Sequence, residues 1–110
     1  MSHIEPEPPY VVTVYSETDI DFSFMGSVSV SVDGGEFTEY GNFQQLLFDK
    51  PQHTVTFRQQ PKDGYVFVGW YIHYKDDGGE DKTMLIGTGN QYTMFMGREA
   101  QVEARYEPIE

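Results

Sequence analysis

Three histidines, eighteen acidic side chains and no cysteine are the groups from which this 110-residue chain could build a reactive centre. His3, His53 and His73 are scattered, with no pair four residues apart and no HExxH spacing, so a helical zinc site is not encoded. The absence of cysteine removes thiolate zinc sites and disulfide frameworks together. Asp76, Asp77, Glu80 and Asp81 crowd around Gly78-Gly79, but not in the Asp-x-Asp-x-Asp-Gly order of an EF-hand loop. A solvated polar loop is the expectation there rather than a calcium site. Gly87-Thr88-Gly89 is too short to cradle a phosphate and opens no helix. None of the carboxylates stands in a recognisable acid–base motif. These residues predict no enzyme, no metal and no cofactor.

Contact residues are the better candidates. Tyr65, Tyr71 and His73 stand in the most aromatic stretch, and Ile4, Pro8, Pro9 and Tyr10 lie in a proline-rich start. A sugar-binding or sugar-cleaving module, with tyrosines and Trp70 stacking on the ligand, is the competing class. Met84, Met94, Phe95 and Met96 fit core or interface, and core is the expectation.

The element that must position these groups is the run from Val55 to Tyr71. Val55 and Phe57 alternate on a strand, Pro61 ends it, and Asp63-Gly64 is a strong hairpin-turn dipeptide. Tyr65 to Tyr74 then reads as the central strand, buried on both sides. Strict alternation puts Tyr65, Phe67, Tyr71 and His73 on one face, opposite Val66, Val68, Trp70, Ile72 and Tyr74. Trp70, the only tryptophan, is expected at the core centre. Gly69 beside it allows another backbone or ring to approach.

Around this centre the chain reads in order. Residues 1–9 form a Pro/Glu arm, open to two readings: a disordered tail or a partner-docking segment. Residues 10–15 make a strand, and the alternation of Ile20, Phe22 and Phe24 predicts the start of a second. Residues 26–32 alternate most cleanly, with Val28, Val30 and Val32 inward and three serines outward. Glu36 to Tyr40 returns as a strand. Residues 42–50 are the one helix candidate, capped by Asn42 and followed by Pro51, with a bent loop as the alternative. Short strands follow at 83–86, 91–96 and 101–106, the last with Val102, Ala104 and Tyr106 inward. Turn signals every 8–12 residues therefore predict one mainly-β domain over 10–110, an antiparallel sandwich or β-grasp-like module of seven or eight strands.

Charge narrows the partners. Seven basic against eighteen acidic residues leave a formal charge of −11, which repels phosphate backbones and anionic membranes. No apolar run is long enough to span a bilayer. The amino terminus lacks a basic start and an apolar stretch, so a secretory signal is not predicted.

The residues Gly64, Tyr65, Phe67, Gly69 and Trp70, after the Val55/Phe57 strand and Pro61, resemble the divergent internalin B-repeat family of bacterial surface proteins. Val102, Ala104 and Tyr106 fit that family's closing strand, and residues 26–32 look like its opening Gly-x-Val strand. The likeness spans residues 26–106 and is sharp over 55–71 and 101–106. It implies a small β-rich spacer or adhesive module without catalytic residues. The chain departs from the pattern in holding one copy, with an extra strand behind a proline arm and a longer segment from Gly35 to Gln52. From this we expect a non-catalytic structural subunit that binds protein partners in a larger assembly, with self-association as a further option. The expected assembly is a phage or other virus particle, with the chain as an auxiliary or decoration protein, in the virion or in the cytoplasm before assembly. The alternative is a repeat of a bacterial cell-surface adhesin.

Overall fold

A computed structural model describes residues 10–48, 53–96 and 100–109. The arm with Ile4, Pro8 and Pro9 and the end of the helix candidate lie outside these residues. Among the described residues eight strands follow one another: β1 (Tyr10–Ser16), β2 (Gly26–Val32), β3 (Phe43–Phe48), β4 (His53–Pro61), β5 (Tyr65–Lys75), β6 (Asp81–Gly87), β7 (Gln91–Met96) and β8 (Ala100–Pro108). They form two sheets, one of order β3-β1-β8-β5-β6 and one of order β2-β4-β7. The protein is all-β, a small sandwich.

The core lies between the sheets. Val12 and Val14 of β1, Trp70 of β5, and Val102, Ala104 and Tyr106 of β8 face Val28 and Val30 of β2 and Val55 and Phe57 of β4. Trp70 is fully buried. Its ring meets Phe57 edge-on at 4.8 Å and Phe67 at 5.2 Å, the arrangement that aromatic quadrupoles favour. Its indole N–H donates to the Gly89 carbonyl at 2.8 Å, so burial leaves no orphan donor. Phe67 is half-buried against this cluster, Gly69 is buried, and Val32, at the end of β2, is only half-buried.

Several expectations change. Residues 43–48 form strand β3 rather than a helix, pairing with β1 from Tyr10↔Phe48 to Tyr15↔Phe43. Leu46 and Phe48 then pack on the core while Phe43 and Leu47 stand exposed, a period of two where the helix reading used 3.6. The turn at Asp63-Gly64 is present, with Gly64 at φ 93° and the Tyr65 N–H on the Lys62 carbonyl, but it does not close a hairpin. β4 and β5 belong to different sheets, so this turn is a corner between layers. Ser29 and Ser31 are buried rather than facing water. The returning segment covers them: Ser29 Oγ donates to the Thr38 carbonyl and Ser31 Oγ to the Gly35 carbonyl. Residues 36–40 run beside β2 without a regular ladder, held by Thr38 N–H on Val30 O and by two bonds between Gly41 and Val28. Finally, β1 and β8 run parallel, within an otherwise antiparallel pairing scheme among the described residues.

One irregularity decides which side chains face outward. Phe67 pairs with Tyr106 but Gly69 with Arg105, so β5 carries one extra residue opposite β8. A bulge of this kind reverses the alternation beyond it. Tyr65 and Phe67 therefore share the core side with Trp70 and Ile72, while Tyr71 and His73 point outward. The expected grouping of Tyr65 with Tyr71 and His73 is thus split by Val68.

Candidate functional site

The outer face of the five-stranded sheet holds the densest set of polar and aromatic groups. Strand pairing places His73 of β5 opposite Gln101 of β8 and Thr83 of β6. His73 Nε2 lies 2.9 Å from Glu103 Oε1, and its Nδ1 lies 3.0 Å from Thr83 Oγ1. A carboxylate only accepts, so in the neutral ring Nε2 carries the proton and Nδ1 accepts from the Thr83 hydroxyl. Arg105 Nε donates to the same Glu103 oxygen at 2.8 Å, and the guanidinium lies 4.4 Å over the Tyr71 ring. The hydrogen bond that Arg105 donates to Glu103 raises the Arg105 pKa further, so that charge is fixed. Tyr15 stacks on His73 at 6.3 Å; burial and the Glu103 charge push its phenol above the ordinary value. Beside these groups opens a depression of about 610 Å³, walled by Val11, Thr13, Tyr15, His73, Lys82 and Gln101 among others.

Thr83, His73 and Glu103 share the order of nucleophile, base and orienting acid, but the surroundings do not suit acyl transfer. Such a centre needs donors aimed at a developing oxyanion. The backbone N–H groups of a sheet lie in its plane, bonded to neighbouring strands, not along its face. Glu103 is also neutralised by Arg105. The network is closed on itself and shapes a surface.

Among the described residues His53, Asp76, Lys75 and Lys82 are engaged as well. His53 Nδ1 meets Asp33 Oδ2 at 2.8 Å, and its ring stacks on Phe48 at 4.3 Å. Asp76 Oδ1 accepts the N–H groups of Gly78 and Glu80, tying the 76–81 loop into a turn. Lys82 reaches Glu80 at 3.1 Å, and Lys75 reaches Asp81 at 3.4 Å. Among the described residues no three His, Cys, Asp or Glu side chains gather as a metal site. Trp70, fully buried, offers no stacking surface to a sugar. Tyr10 opens β1 opposite Phe48 and is partly buried.

The sequence reading missed two features. Arg58 on β4 lies 4.0 Å from the Phe37 ring centre and 5.0 Å from Tyr40, a cation held on aromatic faces. The other is the loop between β1 and β2. Thr18 bridges Phe24, the Asp19 N–H donates to Ser23 O at 2.8 Å, and the Phe22 N–H donates to Asp19 O at 3.0 Å. This is a tight hairpin with Ile20, Asp21 and Phe22 at its tip. Asp19 Oδ1 accepts the N–H groups of Asp21 and Ser23, and Tyr65 Oη donates to Asp19 Oδ2 at 3.3 Å. Lys62 N–H on Met25 O anchors the loop base to the β4–β5 corner. Ile20 is 93% exposed and Phe22 85%, the highest values among the large apolar side chains described. Phe22 sits at φ 64°, where the last residue of a three-residue hairpin loop is usually glycine. A left-handed conformation costs an L-residue roughly 1–2 kcal/mol. The signal available in the sequence was Asp19, a residue whose side chain bonds its own backbone two residues on.

Comparison of the chain with known families, characterised proteins and solved structures finds no match.

Proposed function

We propose that this protein is a non-catalytic interaction module that attaches to a larger protein assembly, of the kind formed by an auxiliary or decoration subunit on a phage or other virus particle. One observation carries the reading. Among the described residues His73, Glu103 and Arg105 are engaged with one another, while large apolar side chains stand exposed on ordered elements: Phe43 and Leu47 on β3, Leu85 on β6, Phe95 on β7 and the Ile20/Phe22 tip. A backbone already fixed by hydrogen bonds loses little entropy on contact, which favours binding. The net charge of −11 suits a partner with a basic docking surface.

The second reading, a repeat of a bacterial surface adhesin, rests on the Gly-Tyr-x-Phe-x-Gly-Trp strand and the Val-x-Ala-x-aromatic strand. Those two segments are β5 and β8, which pair with each other through Phe67↔Tyr106 and Trp70↔Ala104.

Gradient sedimentation of native extracts tests the proposal. The chain is expected to travel with a particle far larger than its own 12.7 kDa. Sedimentation only as a free small protein overturns it, and recovery in a cell-surface fraction favours the adhesin.

A further inference from the structure

The apolar side chains exposed on β3, β6 and β7 stand where strand alternation turns them outward, at no cost to the backbone. The β1–β2 tip is held out against such a cost. Phe22 occupies a left-handed position suited to glycine, and at 85% exposure its ring recovers almost nothing through burial. Ile20 beside it is more exposed still. Around them Asp19 gathers two backbone N–H groups and the Tyr65 hydroxyl, and Lys62 and Glu17 hold the loop base through Met25. The fold ties the loop down through these bonds while gaining little stability from its two large exposed side chains. Strain maintained at an exposed aromatic points to a role outside the fold.

The neighbourhood indicates the partner. Asp21 lies between the two apolar residues, and its charge and that of Asp19 both reach the Tyr65 hydroxyl. Ile109, 63% exposed, is brought to the same end by its N–H bond to Gly64 O. An apolar knob edged with carboxylates is repelled by a second copy of itself and by anionic lipid. It is matched by a pocket that is apolar inside and basic at its rim.

We propose that the Ile20–Phe22 tip is the anchor of this module, inserting into an apolar pocket rimmed by lysine or arginine on a partner protein. This deepens the attachment reading and rests on it. Binding hot spots are typically aromatic or arginine anchors that fill well-packed, desolvated pockets.

Phe22→Gly is the decisive variant, because it separates folding from binding. It relieves the left-handed strain, so thermal melting should occur at the same temperature or higher. Used as unlabelled competitor for the assembly, it should be weaker than the wild type by about 30-fold, the loss typical of a hot-spot aromatic. Ile20→Ser should weaken competition in the same direction. Raising salt from about 0.1 M to about 1 M shortens electrostatic screening from roughly 10 Å to roughly 3 Å and should weaken the wild type further. With benzoylphenylalanine in place of Phe22, irradiation of the full chain on the assembly should give one adduct, mapping to apolar residues flanked by Lys or Arg. Equal competition by Phe22→Gly while the chain still travels with the assembly overturns the anchor and leaves the attachment reading intact. A chain that never associates removes both. Adducts to its own copies, or binding to phosphatidylcholine vesicles that Phe22→Gly abolishes, replace the protein pocket with self-association or with lipid.

Discussion

Asp19 is the residue on which the β1–β2 loop depends. The Ser23 N–H, then the Asp21 N–H, the Tyr65 hydroxyl and the Lys62 charge hold its carboxyl below the ordinary 3.8. A depressed carboxylate contributes stability that is present above its unfolded pKa and lost as the pH falls through its folded one. Melting temperature is therefore expected to decline below about pH 4, where the unfolded chain takes up the proton first. Asp19→Asn keeps an oxygen acceptor but has no charge to lose. It should melt lower than the wild type at pH 7 and show a shallower acid decline; parallel curves would show that Asp19 is not the titrating group. Trp70 acts at the same scale for the opposite reason, since it is held wholly by packing and one hydrogen bond. Trp70→Ala should cost about 3–5 kcal/mol, as core aromatics do, and native fluorescence should be that of a buried indole. A loss below about 1 kcal/mol in urea titration would contradict the core described above.

The elements are joined at points where a side chain would not fit. Gly26 opens β2 with the Tyr106 ring of β8 packed directly on it and Gln60 O at 2.8 Å from where a Cβ would stand. Backbone cannot yield there, and Tyr106 is itself buried, its phenol pushed up by that burial. Gly26→Ala should therefore destabilise by about 1–3 kcal/mol, the usual effect of overpacking. An unchanged denaturation midpoint would show that the Tyr106 ring moves freely. Gly34→Ala makes a control of a different kind, with open space around it but φ at 77°. The β5 bulge at Val68 works at this scale too. It turns Tyr71 and His73 outward to meet Arg105 and Glu103, so one inserted residue creates the outer-face network.

At the scale of the molecule, closure comes from the pairing of opposite chain ends. β8 lies at the centre of the five-stranded sheet, between β1 and β5, and contributes Val102, Ala104 and Tyr106 to the core. β1 joins it through Val12↔Ala100 to Ser16↔Ala104, a contact between residues nearly the whole chain apart. Such pairing brings its reward only after a large loop has been closed, which slows folding. A chain ending before Ala100 should show no cooperative melt and little strand signal in circular dichroism, although β2, β4 and β7 retain their sequences. Persistence of a cooperative transition would mean that the three-stranded sheet folds alone.

Alternation alone made most of the strands legible, because a half-buried strand must repeat with period two. Val28, Val30, Val55, Phe57, Val102, Ala104 and Tyr106 were readable as core on that ground, and Trp70 as its centre. What alternation cannot carry is which strands become neighbours. The Asp63-Gly64 turn looks the same whether it closes a hairpin or turns a corner between sheets, and the layer on each side decides. The serines of β2 are buried because residues 35–41 return over them, a tertiary event that no serine announces. Residues 43–48 were ambiguous because a short apolar run fits both periods, and pairing with β1 settled it as strand. Ile20, Phe22 and Phe24 carried a strand's alternation, yet Asp19 bonds its own backbone and turns the first two into an exposed tip. Local pattern fixes what an element can be; the hydrogen-bond partners it finds far along the chain fix where its faces point.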